Sequence, residues 1–116
     1  MSLREIKMGV TQITDKNYAE LINKEIPLII DHFADWCGPC KLLSPIFEKV
    51  SNSYNGRLEF GKLDTEAYPD IAAQNSVLSI PCLIIFHKGK EVNRIIGYMN
   101  EDKLSSTIDN ILKGIK

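Results

Sequence analysis

The chain has 116 residues, 44% of them hydrophobic and 25% charged, with a formal net charge of -1; this is the size and composition of one globular domain with its own core. The charge balance excludes a nucleic-acid footprint, which needs concentrated Lys and Arg, and no run approaches the ~20 apolar residues that cross a bilayer. The opening MSLREIKMGV has basic residues with no apolar run behind them, so it does not read as a secretory signal and the cytoplasm is the default location.

Segments of period two alternate with segments of helical period, with no linker or repeat between them. Residues 1–9 are an extension without an assigned element, and residues 10–116 form a single domain. Val10–Thr14 is a short strand. Thr14 or Asp15 then caps a helix carrying Tyr18, Leu21 and Ile22 at helical spacing. Pro27 ends that region. Leu28–Ala34 is apolar apart from Asp31 and His32, the pattern of a central strand covered on both faces. A helix follows from about Cys37 to Ser53, with Leu42, Leu43, Ile46, Phe47 and Val50 as its buried stripe. Pro45 removes the bond to the Lys41 carbonyl, so a kink is expected there.

Leu58–Asp64 is the next strand, and a short helix spans Pro69–Asn75. Cys82–His87 and Glu91–Ile96 form a hairpin around Lys88–Gly89–Lys90. Asn100 caps a last helix with Leu104, Ile108, Ile111, Leu112 and Ile115 on one face. The order β-α-β-α-β-α-β-β-α implies parallel crossovers early and antiparallel pairing late. The fold class is α/β, a central mixed sheet flanked by helices on both faces.

The cysteines are Cys37, Cys40 and Cys82. An odd, low count argues against a secreted disulfide scaffold and for a catalytic or metal-binding pair. The stretch Trp36-Cys37-Gly38-Pro39-Cys40 follows an apolar strand and opens a helix. Two cysteines separated by two residues can close a small disulfide ring. At a helix start, Cys37 meets unpaired amide groups and the positive end of the dipole. Both favour the thiolate, which is the nucleophile. Pro39 suits the first helical turn, where its missing N–H is no loss. Cys40 lies within that turn and is expected to be more buried, as a resolving thiol should be. The alternative is half of a zinc site. Zinc wants four ligands, and only Cys82, His32 and His87 remain to complete it.

The stretch from Ile30 to Lys41, IDHFADWCGPCK, resembles the active-site signature of thioredoxins. Ser79-Ile80-Pro81 resembles that family's second signature, in which a cis-proline faces the cysteine pair. Lys62, Asp64 and Gly97 also fall where the family pattern places them, and the similarity runs from about Val10 to the C-terminus. Two positions depart from it: His32 stands where an aromatic residue is usual, and Cys82 where threonine is.

The resemblance implies the thioredoxin fold and a redox carrier with protein-disulfide reductase activity. Its only redox centre would be the Cys37–Cys40 disulfide, with no metal or other cofactor. Asp31 sits in an apolar strand, where a carboxylate is costly unless paired or neutralised. By resemblance it is the buried acid that takes the proton from Cys40, with Lys62 as its partner. The cis bond would leave the Ile80 backbone N–H and C=O beside Cys37, open to an extended peptide as a short added strand. Trp36, Gly38, Pro39, Ile80, Pro81 and Gly97 then form the client surface. Gly97 serves it because a side chain there would block approach. Alternation turns His32 away from Asp31, so His32 is a packed or partly exposed side chain. His87, beside the hairpin turn, is expected in solvent. Cys82 is expected to be an inert buried thiol.

The expected partners are disulfide-containing client proteins and, as electron donor, a separate thioredoxin reductase, since no GxGxxG follows a strand here. The chain itself is expected to be a monomer. Two rivals stand beside this reading. Oxidases or isomerases of the same fold commonly carry histidine between their cysteines, where a cation stabilises the thiolate; Gly38-Pro39 lacks that charge. A non-catalytic binding module would keep the surface and lose the cysteine pair, which is intact here.

Overall fold

A computed structural model of the chain describes residues 9–115. Residues 1–8, most of the expected extension, and Lys116 lie outside them. The elements run β1 (Val10–Gln12), α1 (Tyr18–Ile22), β2 (Leu28–Phe33), α2 (Gly38–Ser51), β3 (Glu59–Asp64), α3 (Pro69–Gln74), β4 (Cys82–His87), β5 (Lys90–Ile96) and α4 (Glu101–Lys113). The sheet order is β1-β3-β2-β4-β5. β1 and β2 pair with β3 in parallel, whereas β4 is antiparallel to both β2 and β5. This is the expected mixed sheet, with β3, β2 and β4 inside it.

Period-two alternation sorts the strand side chains onto two faces. On one, Ile29, Leu83 and Ile85 pack with Leu43, Phe47 and Val50 of α2 and with Leu104 and Ile108 of α4. On the other, Leu28, Ile30, Cys82, Ile84 and Phe86 pack with Tyr18 of α1 and Ile71 of α3. Both faces of β2 and β4 are therefore dry, which explains their near-continuous apolar runs. The alternation also puts Asp31 on the α2–α4 face and His32 on the other.

Several local features differ from the sequence expectation. β1 ends at Gln12, and α1 begins at Tyr18 with Asn17, not Thr14 or Asp15, as its N-cap. The Asn17 side chain turns back to accept from the Thr14 N–H at 2.7 Å, and the Thr14 carbonyl accepts from the Tyr18 N–H. A turn thus occupies the residues expected to start the helix. α2 opens one residue later, with Cys37 as its N-cap, and ends at Ser51. Leu42 is 64% exposed and does not belong to the buried stripe. It neighbours Leu43 in sequence but points about 100° away around the helix.

The hairpin turn puts Lys88 and Gly89 at positive φ, 55° and 85°, the pair of left-handed residues a tight two-residue loop needs. His87 is half-buried, not solvated as expected, with Nε2 3.0 Å from the Glu25 carbonyl. Asn100 caps α4 as expected, its side chain accepting from the Lys103 N–H.

Candidate active site

β2 carries the chain to Ala34, and the turn through Asp35 and Trp36 delivers Cys37 to the N-cap of α2. The Cys37 backbone is extended, and its Sγ accepts from the Cys40 N–H at 3.2 Å. A helix start leaves such amides without partners, so the sulfur sits where negative charge is stabilised. Pro39 occupies the first turn. Cys37 and Cys40 form a disulfide, with their Cα atoms 5.2 Å apart. It packs in a small cluster with Ala34, Phe33 and Ile80. The two cysteines are 4% and 3% exposed. The expected contrast in burial is therefore absent in the disulfide form, where both cysteines belong to one packed cluster.

The second segment arrives from the end of α3. The Ile80–Pro81 peptide bond is cis, and the Ile80 carbonyl lies 3.9 Å from Cys37 Sγ. The third is the end of β5, where the Gly97 N–H donates to the Pro81 carbonyl at 2.9 Å. Gly97 has φ of 94°, so its own backbone conformation requires glycine. Trp36 stands outside the cluster at 70% exposed, its Nε1 donating to Glu66. Asp64 places that partner: its carboxylate accepts from the Glu66 and Ala67 N–H groups. Glu66 was not legible as a site residue, since no motif carries it.

Beneath the disulfide, Asp31 is fully buried, and neither carboxylate oxygen has a hydrogen-bond partner among the described residues. Burial pushes its pKa up to about 7, and the Lys62 charge pulls the other way only partly. Lys62 is the register partner of Asp31 on β3, and its charge acts on the carboxyl with no hydrogen bond between them. Its ammonium donates to Ser44 Oγ at 2.8 Å and lies 4.8 Å from the centre of the Phe33 ring. A cavity of about 140 Å³, lined among others by Asp31, Cys40, Ser44 and Lys62, joins these groups.

The thioredoxin family model matches residues 9–110. The chain belongs to the thioredoxin family. The thioredoxin of Staphylococcus haemolyticus is 36% identical over 105 residues, covering 90% of this chain and 100% of the relative. That of Porphyra purpurea is 36% identical over 106 residues, covering 90% and 99%. Thioredoxin 1 of a Nostoc species is 32% identical over 105 residues, covering 90% and 98%. The fold and the CxxC disulfide agree with that membership, and the chain is a protein-disulfide reductase of the thioredoxin type.

His32 and Cys82 lie together on the opposite face of the sheet from Asp31. His32 is fully buried, and its Nδ1 donates to the Cys82 carbonyl at 3.0 Å while Nε2 has no partner. Desolvation pushes its pKa down, against the partial support of backbone hydrogen bonds. The Cys82 thiol is 1% exposed, and burial pushes its pKa up. Among the described residues no group of three or more His, Cys, Asp or Glu is placed to hold a metal ion, and no helix is long and apolar enough to cross a membrane.

Proposed function

We propose that the reduced chain acts by dithiol–disulfide exchange, with Cys37 as nucleophile and Cys40 as resolving thiol. The Cys37 thiolate attacks one sulfur of a client disulfide, forming a Cys37–client bond and releasing the other client sulfur as a thiolate. Cys40 loses its proton to Asp31 and attacks Cys37 Sγ. The Cys37–Cys40 disulfide forms, and the second client sulfur leaves as a thiolate. Two electrons have passed to the client. The observation that carries this reading is the placement of Cys37 as the N-cap of α2 while Cys40 shares a cavity with the unpartnered Asp31.

Client recognition falls to Trp36, Gly38, Pro39, Ile80, Pro81 and Gly97. An extended segment beside Cys37 pairs with the Ile80 backbone, and Trp36 forms the wall of the surface. A separate reductase returns two electrons to the disulfide. We assign the chain to electron transport and redox homeostasis in the cytoplasm, as a monomer whose residues 10–116 form one domain behind the extension at 1–9. The uncharged Gly38-Pro39 pair supports a reductant over an oxidase or isomerase, since no cation stands between the cysteines.

The test is insulin-disulfide reduction with dithiothreitol, together with Cys40→Ser as a trap. Cys37→Ser should abolish reduction. Cys40→Ser should leave covalent client adducts that reductant releases. Normal turnover by Cys40→Ser without adducts would end the two-thiol scheme.

A further inference from the structure

Lys62 faces Asp31 across the parallel β2–β3 pair, and opposite charges on neighbouring strands would be expected to meet. They do not. The ammonium is drawn to the Ser44 hydroxyl at 2.8 Å and rests over the Phe33 ring. Ser44 lies four residues beyond Cys40 in α2, so the two share a helix face. That face meets the cavity into which Asp31 and Lys62 also look. Asp31 meanwhile keeps two oxygens without hydrogen bonds.

We propose that Ser44 is a positioning residue, whose hydroxyl tethers the Lys62 ammonium short of Asp31 and so leaves the carboxylate unpaired and available for the proton of Cys40. The inference rests on the reading of Asp31 as the base for Cys40. An ammonium in contact would hold the carboxylate in its charged form and lower its proton affinity by about 1–3 pH units. A carboxylate that weak is a poor base for a thiol at neutral pH. At a distance the same charge only moderates the effect of burial, which is the balance found at Asp31. The tether therefore allows a cation to shape the site without neutralising it. The other charged side chains lining the cavity are Asp35 and Lys41, both exposed. Cys82 lies on the far side of the sheet with a raised thiol pKa. None of these holds Lys62; Ser44 Oγ is its hydrogen-bond acceptor among the described residues.

The test is a carbon-13 NMR titration of the Asp31 carboxyl in the oxidised protein. Ser44→Ala frees the ammonium to close on the nearest buried acceptor, so Asp31 should titrate about one pH unit lower than in wild type. Ser44→Thr keeps a hydroxyl and should titrate as wild type. Lys62→Met should titrate higher, and adding Ser44→Ala to it should change nothing further. The tether is overturned if Asp31 in Ser44→Ala titrates with or above wild type. It is equally overturned if the Ser44→Ala shift persists without Lys62. A second measurement separates the tether from the reading beneath it. Reduced protein mixed with dithiobis(nitrobenzoate) releases one thionitrobenzoate on attack by Cys37 and a second on resolution by Cys40. The pH profile of the second release should follow the Asp31 titration from variant to variant. If the titration moves and that profile does not, the tether stands and Asp31 is not the base.

Discussion

Asp31 and His32 are consecutive residues of β2, both fully buried, and burial moves their proton affinities in opposite directions. Desolvation always disfavours the charged form. It therefore raises the carboxyl and lowers the imidazole, although the two side chains lie on opposite faces of one strand. Asp31 shares its cavity with Cys40, whereas His32 is fastened to the Cys82 carbonyl. One of the pair thus faces the cavity that Cys40 lines, and the other is bonded on the far side of the sheet.

Asp31→Asn should stabilise the oxidised protein at neutral pH. The folded pKa of about 7 lies above the ordinary 3.8, so the native state binds the proton more tightly than the unfolded chain. The penalty is absent only well below pH 3.8. The penalty grows as pH rises through 3.8 towards 7 and reaches about 4 kcal/mol near neutrality. The buried amide that replaces it still lacks partners, so the net gain should be nearer 2 kcal/mol. Melting temperatures between pH 4 and 8 check the sign. Resolution of the mixed disulfide should slow in the same variant. A variant that melts lower at pH 7 and resolves normally would make Asp31 an ordinary structural carboxylate.

Mild alkylation of the reduced native protein should label Cys37 first and spare Cys82. The Cys82 thiol is buried in the core on the α1 and α3 face of β4 and its pKa is raised, so it offers neither access nor thiolate. Peptide mapping after timed exposure to iodoacetamide at pH 7 reads this directly. Cys82 should become reactive only under denaturant. Labelling of Cys82 at a rate comparable with Cys37 would contradict the assignment.

Gly97→Ala separates two roles of that glycine. A Cβ there would meet nothing within 4 Å, but φ is 94°. The variant should therefore lose about 1–2 kcal/mol through backbone strain, not through a clash. Reduction of a protein client should fall further than reaction with a small aromatic disulfide, because the added methyl stands where an extended segment would lie. Equal loss on both substrates would leave Gly97 a purely conformational residue.

Much of this arrangement was legible because local chemistry and periodicity agreed. The apolar run of β2 announced a strand covered on both faces, and that of β4 announced a strand of the hairpin. Asn100 announced its helix, and the spacing of Cys37 and Cys40 announced a disulfide at a helix start. What was not legible is where side chains reach. The resemblance set Lys62 beside Asp31, and its charge does act on the carboxyl, but a lysine tip travels several ångströms, and its hydrogen bond to a serine one helical turn past Cys40 has no sequence signal. Leu42 was assigned to the core for being apolar, although an exposed leucine is common on folded surfaces. The start of α1 was misplaced because Thr14 and Asn17 satisfy each other in a turn before the helix begins. Glu66 gave no sequence signal, since it matters only through the Trp36 indole that folding brings to it.

His32→Phe tests the far side of β2. The folded imidazole has a pKa below the ordinary 6.5, so the native state resists protonation more than the unfolded chain does. Wild type therefore loses stability from His32 as pH falls through 6.5, and the loss continues down to the folded pKa. Phenylalanine cannot be protonated, so that loss should vanish. At pH 8 the variant gives up the hydrogen bond to the Cys82 carbonyl, about 1 kcal/mol, but no longer buries the unpartnered Nε2, and the two changes should nearly cancel. Between pH 6.5 and 5 the variant should melt progressively higher than wild type, the reverse of the Asp31→Asn trend. Insulin reduction at pH 7 should be unchanged, because the ring faces α1 and α3 and not the disulfide. A drop in turnover with unchanged melting would place His32 in the redox chemistry after all.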